Sequence, residues 1–306
     1  IITIFYIIIF FFLLVFNKMN IKHIVLSGGA QIGFSIYSSL TRLIEKEFVD
    51  MSKIETMYAT SAGTFVSVIA SLPISNEDVY DYMINRPWEN VFPLHPTNVL
   101  NIYSSKGLYD GSFIKELFKP LFACCDLDID INMKEFYEFS NIEHHFFSVD
   151  LNKMELINIS HKTHPELPLL KAVHMSSAIP YIIQPVFYED KCCIDGGAIS
   201  NYPINFCLED TNCNKNEILG IKSTSIYNNP KVHVNSNLFD LTYTFLYHSI
   251  NAVRIKPYDI DYQINIPANG IELNSLRETI VSKEAREKLF SDGNKICDEF
   301  ISEHLS

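Results

Sequence analysis

The sequence predicts an α/β fold with a mostly parallel central sheet and helices on its faces. Three observations carry that expectation. A short apolar run, His23 to Ser27, stops at Gly28 and Gly29, as a buried strand does before a glycine turn. A helical pattern follows from Ile32 to Phe48, with Phe34, Ile36, Tyr37, Leu40, Leu43, Ile44 and Phe48 recurring at three and four. A second apolar run, Ile54 to Ala59, then ends in a small-residue turn at Ser61 and opens a further apolar helix, Ala62 to Leu72, which Pro73 stops. Strand, turn, helix, strand, turn, helix is the order of a parallel sheet covered on its faces.

The remaining elements follow from the same periodicities. A helix is expected over Ser112 to Ala123. Strands over His145 to Val149 and Glu155 to Ile159 should form a hairpin, because few residues separate them. Pro168 to Ser177 reads as helix, and Ile183 to Tyr188 and Lys191 to Ile194 as extended. A strand is expected near Glu217 to Lys222 and another over Asp261 to Ile266. The very apolar helix Leu238 to Val253 reads as core rather than membrane contact. The last helix presents Ala285, Leu289, Ile296 and Phe300 on one side. The irregular, aromatic and proline-rich stretch Pro87 to Tyr109 is read either as cover for a site or as an ordinary surface loop.

Composition narrows the function classes. The 306 residues are 47% hydrophobic and 20% charged, as expected for a globular chain with a substantial core. A formal net charge of −12 disfavours a nucleic-acid partner and purely electrostatic docking on anionic lipid. The seven cysteines include the vicinal pairs Cys124-Cys125 and Cys192-Cys193, a poor pattern for disulfides or zinc, so reduced thiols in a cytosolic setting are expected. No metal or cofactor is expected.

Residues 1–18 stand apart. Ile1 to Phe16 is unbroken apolar sequence, about 24 Å long as a helix and short of the ~30 Å hydrocarbon core. Two readings stay open: a short membrane anchor, with Lys18 and Lys22 holding the rest on the cytoplasmic side, or translated sequence upstream of a start at Met19. Residues 20–306 are expected to form one domain.

Three short motifs carry chemistry. Ala59-Thr60-Ser61-Ala62-Gly63 lies between a predicted strand and a predicted helix, where a tight bend lifts a serine hydroxyl clear of the sheet. Small residues, here Ala59 and Gly63, are needed on either side of such a bend. The bland alternative is a serine N-cap. Ser27-Gly28-Gly29-Ala30-Gln31-Ile32-Gly33 joins the first strand to the first helix and can aim consecutive N–H groups at one point. A dinucleotide loop would need an acidic residue closing the second strand, which instead ends at Ser61. Beside Ser61, an oxyanion hole from Gly28, Gly29 and Ala30 is the better reading. Asp195-Gly196-Gly197 ends a short strand with a carboxylate and a sharp turn.

Together with Ser176-Ser177-Ala178-Ile179-Pro180 and Asn201-Tyr202-Pro203, these motifs resemble in content and order those of the patatin-like phospholipases. Leu108-Tyr109-Asp110-Gly111 is similar to a further stretch of that family. The likeness covers roughly residues 21–204. It implies a three-layer αβα sandwich and a lipid acyl hydrolase with a Ser61–Asp195 dyad working through an acyl-enzyme. It also implies a phospholipid or other acyl-lipid substrate and peripheral action on membranes. Ala30 and Ile32 depart from the family's usual glycine and basic residue. Two rival readings are a non-catalytic lipid-binding relative and a Ser-Asp-His triad using His248 or His304.

Overall fold

The computed structural model describes residues 20–93, 102–225, 231–268 and 273–304. Residues 1–18, including the apolar run, lie outside the described residues, as does part of the Pro87–Tyr109 stretch, residues 94–101. No helix among the described residues is long and apolar enough to cross a membrane.

The strands are β1 (His23–Leu26), β2 (Thr56–Thr60), β3 (Gly107–Tyr109), β4 (Glu143–Asp150), β5 (Glu155–Ile159), β6 (Tyr181–Ile183), β7 (Val186–Tyr188), β8 (Lys191–Asp195), β9 (Ile218–Ser225) and β10 (Tyr262–Ala268). The principal helices are α1 (Gly33–Glu45), α2 (Ala62–Ala70), α3 (Asn76–Asn85), α4 (Ser112–Cys124), α5 (Met133–Ser140), α6 (Leu169–Ser177), α7 (Ile204–Thr211), α8 (Leu238–Val253), α9 (Leu273–Val281) and α10 (Lys283–His304). The main sheet runs β10-β9-β1-β2-β4-β8-β7, with β5 also paired to β4. Pairings from β10 through β4 are parallel, and those of β4 with β5 and β8, and of β7 with β8, are antiparallel. The expected extended segment Ile183 to Tyr188 divides, because β6 leaves to pair with β3 in a separate small sheet.

Alternation along the buried strands explains the layering. Ile24, Leu26, Met57 and Ala59 face one way into the large core with Ile36, Leu40 and Leu43 of α1. Val25 and Tyr58 face the other way into a smaller core with Ile204 and Cys207 of α7. Burying both faces of a sheet this way requires a helical layer on each side, which gives the αβα sandwich. Helix α10 closes the large core through Gly293, Cys297 and Phe300. A Cβ at Gly293 would collide with Ser35 and Ser38 of α1, so the glycine sets how closely these helices approach.

Helix α8 corrects one expectation. Its apolar sequence reads as core, yet Leu238 is 72% exposed and Phe245 68%, with Leu241 and Val253 also open. Its firm attachments lie just past its C-terminal end. Arg254 donates from Nε to the Gly197 carbonyl (2.9 Å), and the Ile255 N–H donates to the Ile199 carbonyl (2.8 Å). The helix is therefore tethered to the Asp195 turn while its apolar length stands off the core.

Candidate active site

The register of β4 brings the two key segments together. Phe147 of β4 pairs with Thr60, the last residue of β2, and the next residue, Ser148, pairs with Asp195, the last of β8. Phe146 and Phe147 pair with β2 and β5 at once, and Ser148 to Asp150 with β5 and β8, so β2 and β8 share one edge of β4. They approach from opposite directions and their C-terminal ends meet. Ser61 follows one end and Asp195 forms the other. Ser61 and Asp195, both buried, thereby become neighbours, and the serine hydroxyl is among the groups that lower the Asp195 carboxyl, although 134 residues separate the two in sequence.

Each partner is held by its surroundings. Ser61 has φ 52° and ψ −123°, a left-handed backbone that costs an L-residue roughly 1–2 kcal/mol and projects the side chain from the bend. Ser176 Oγ accepts the Ser61 N–H (3.0 Å) and donates to the Phe147 carbonyl (2.6 Å), locking the bend to β4. A Cβ on Gly63 would lie 2.7 Å from the Leu26 carbonyl oxygen and 2.9 Å from that of Ser27, so α2 can start there only with glycine. Ala59 is fully buried in β2, and Ala62 lines the adjoining cavity. Gly33 is less constrained, since a Cβ there would make only ordinary contact with Ala62.

Asp195 is buried, and that burial pushes its carboxyl up to about 6. The Ser61 hydroxyl, the Gly197 N–H (2.7 Å to Oδ1) and the charge of Arg254 pull the other way. A side chain on Gly196 would strike the Phe147 carbonyl, and one on Gly197 would sit 2.9 Å from Asp195 Oδ1, which accounts for the paired glycines.

The glycine loop faces the same point. A Cβ on Gly28 would lie 2.9 Å from Ser61 Cβ, which shows how tightly the two loops pack. One assignment is corrected here: the Gly28 N–H already donates to the Asn201 carbonyl (3.0 Å), so it is not free for an oxyanion. Asn201 Nδ2 returns hydrogen bonds to the Gly28 carbonyl (3.2 Å) and Ser223 Oγ (3.1 Å), clamping the loop. Among the described residues nothing takes the N–H groups of Gly29 and Ala30. Ala30 has φ 50°, so the position that usually carries glycine keeps the left-handed conformation despite its methyl group.

An apolar cavity of about 190 Å³ opens beside Ser61, walled by Phe34, Phe65, Trp88, Phe113, Leu117 and Ile183 among others. Trp88, Phe92 and Tyr109 of the proline-rich stretch reach it, in keeping with a covering role for the part that is described. An apolar cavity of ~150 Å³ takes up benzene, so this one has room for a comparable length of hydrocarbon. Arg286 fixes one wall. Buried and fully engaged, it donates to the carbonyls of Ile84, Thr279 and Ile280, tying the ends of α3 and α9 to α10.

Neither triad histidine is among the groups that act on the Asp195 carboxyl. His304 packs on Tyr262 at the start of β10, the opposite end of the parallel strands from Ser61, and His248 lies on exposed α8. Ser176, Arg254 and Arg286 were not assigned roles from sequence. Ser176 lies in a run whose spacing flags it, whereas no local pattern marks the two arginines.

The comparisons with known proteins agree with this architecture. The model of the patatin-like phospholipase family matches residues 24–208. An uncharacterized protein of Acanthamoeba polyphaga mimivirus is 24% identical over 196 residues, covering 63% of this chain and 64% of the relative. A probable lipid hydrolase of Invertebrate iridescent virus 6 is 24% identical over 193 residues, covering 61% of this chain and 63% of the relative. The chain thus spans a little under two thirds of the length of these curated relatives. The crystal structure of VipD from Legionella pneumophila shares the fold, with a TM-score of 0.53 at 16% identity over 93% of this chain and 67% of that one. A sheet that joins a strained serine bend to a buried aspartate, with a family match across both segments, fixes the affiliation: the chain belongs to the patatin-like phospholipase family.

Proposed function

We propose that the chain hydrolyses carboxylic esters of phospholipid or another acyl lipid, with Ser61 as nucleophile and Asp195 as the base. The meeting of Ser61 and Asp195 at the C-terminal ends of β2 and β8, beside an apolar cavity, is the observation that supports this reading. Family membership and a relative named as a probable lipid hydrolase support the substrate class.

In the first half-reaction, Asp195 takes the Ser61 proton as Oγ attacks the ester carbonyl. The N–H groups of Gly29 and Ala30 hold the oxyanion, and losing one such donor typically costs ~3 kcal/mol of barrier. Collapse breaks the acyl–oxygen bond, and the leaving alcohol takes the proton from Asp195. Water then gives a proton to Asp195 and attacks the acyl-enzyme. Its collapse returns the proton to Ser61 and frees the fatty acid. A carboxyl at about 6 suits this task better than an ordinary aspartate, because it is a stronger base yet ionised at neutral pH.

The substrate's own lipid surface is the proposed docking partner. Exposed Leu238, Leu241 and Phe245 of α8 supply apolar contact on a helix whose C-terminal end is tethered to the Asp195 turn. The net charge of −12 favours zwitterionic or neutral lipid over anionic lipid. Cysteines that are all free thiols fit a cytoplasmic protein acting peripherally.

The test is hydrolysis of a short-chain p-nitrophenyl ester without added metal, together with labelling by a fluorophosphonate probe. Both are expected for the wild type and neither for Ser61→Ala. A folded wild type that does neither would transfer the reading to a lipid-binding module.

A further inference from the structure

Gln31 is the anomaly of the cavity. It sits in the single turn Ala30–Ile32, directly after the proposed oxyanion donors, and lines the space that Ser61 opens into. The residue is only 7% exposed, and its Oε1 is buried with no hydrogen-bond partner among the described residues. Its Nε2 donates to none of them either. Other buried polar atoms lacking partners there, on His161, Tyr202 and Gln263, belong to residues that do not line this cavity. A buried amide oxygen left unmatched costs ~1–3 kcal/mol, and folded proteins rarely carry one without use. Leucine would fill the space at no such cost.

We propose that Gln31 is a polar subsite selecting acyl lipids that carry a hydroxyl on the acyl chain. This rests on the hydrolase reading and extends it to substrate class. The walls around Gln31 are almost wholly hydrocarbon, so an occupant must be mainly apolar there. A hydroxyl is the best complement to an amide that turns toward the occupant, since it can both donate to the amide oxygen and accept from the amide nitrogen, whereas an ether or oxo group leaves the oxygen unmatched. Buried polar groups of this kind discriminate strongly against an analogue that lacks the matching group.

The experiment compares p-nitrophenyl esters of one chain length, unsubstituted or with a single hydroxyl moved along the acyl chain, on wild type and Gln31→Leu. This leaving group has no aliphatic hydroxyl, so the acyl side is read alone. At one hydroxyl position wild type should show kcat/KM at least about tenfold above the unsubstituted ester, and Gln31→Leu should lose that ratio while melting no lower. Ratios that match between wild type and Gln31→Leu at every position overturn the proposal. So does a Gln31-dependent preference that appears only with a glycerol ester over a methyl ester, because the hydroxyl recognised is then on the alcohol side. Failure of the hydrolase reading shows separately, as absent fluorophosphonate labelling of folded wild type. In that event displacement of a fluorescent fatty acid by hydroxy and plain fatty acids, with the same two proteins, decides whether Gln31 recognises the hydroxyl.

Discussion

Ala30 and Ser61 line one cavity from the loops that follow β1 and β2, and both hold positive φ, 50° and 52°. Two strained L-residues on opposing loops of one site are an expense the fold carries locally, as functional sites tend to. The strain at Ser61 is testable apart from catalysis. Ser61→Ala and Ser61→Gly both remove the proposed nucleophile, but only glycine relaxes the backbone. Chemical denaturation should find Ser61→Gly more stable than Ser61→Ala by about 1 kcal/mol, the steric gain reduced by the entropy of the freer unfolded chain. Equal stability would show that the bend is unstrained.

The raised pKa of Asp195 predicts two opposite pH responses. In the proposed mechanism the base is the carboxylate, so kcat/KM should rise with pH through about 6 and then level off. For stability, a carboxyl whose pKa rises on folding binds its proton more tightly in the folded chain. Its favourable contribution is complete below the ordinary value of 3.8 and is lost as pH climbs through about 6. Asp195→Asn should therefore be inactive, yet more stable than wild type above pH 6 by on the order of 3 kcal/mol, with the gain fading as pH falls from 6 and gone below about pH 4. Denaturation series at pH 3.5 and 7.5 provide the measurement.

Ser176 should matter to both folding and rate. Ser176→Ala leaves the Ser61 N–H and the Phe147 carbonyl without their shared partner in a buried setting. A loss of ~1–3 kcal/mol in stability is expected. A lower kcat at little-changed KM should accompany it, because the residue positions Ser61 rather than touching lipid. Steady-state kinetics on a soluble ester separates the two constants.

Exposed α8 gives a binding prediction. Leu241→Asp combined with Phe245→Asp should sharply lower the fraction of protein that cosediments with phosphatidylcholine vesicles. Hydrolysis of a soluble short-chain ester should be unchanged, since neither residue lines the cavity. Undiminished vesicle binding would remove α8 from the docking surface.

The strand order before Ser61 and the meeting of two distant loops were legible because each depends on local residue chemistry. Small residues mark the bends, and Gly63, Gly196 and Gly28 prove to be sites where a side chain would strike backbone or a neighbouring side chain. Helix α8 was misread for a physical reason: a helix apolar on most sides carries no periodic signal that separates burial from exposure. The Gly28 N–H was misassigned because sequence shows which donors exist, not which are already taken, and its acceptor, Asn201, is 173 residues away. Arg254 and Arg286 escape for the same reason, since each acts on carbonyls brought close only by the tertiary fold.

The pairing of β4 with both β2 and β8 has a consequence for how such a protein can fail. Side chains alternate along a strand, so sliding β8 by one residue against Ser148 would turn the carboxylate to the opposite face and aim its neighbour Ile194 at the serine. Damage far from the reactive pair, in the hairpin of β4 and β5 or in the edge strand β7, can thus silence the protein while leaving every reactive group intact. Alignment of one strand against another is itself part of the chemistry.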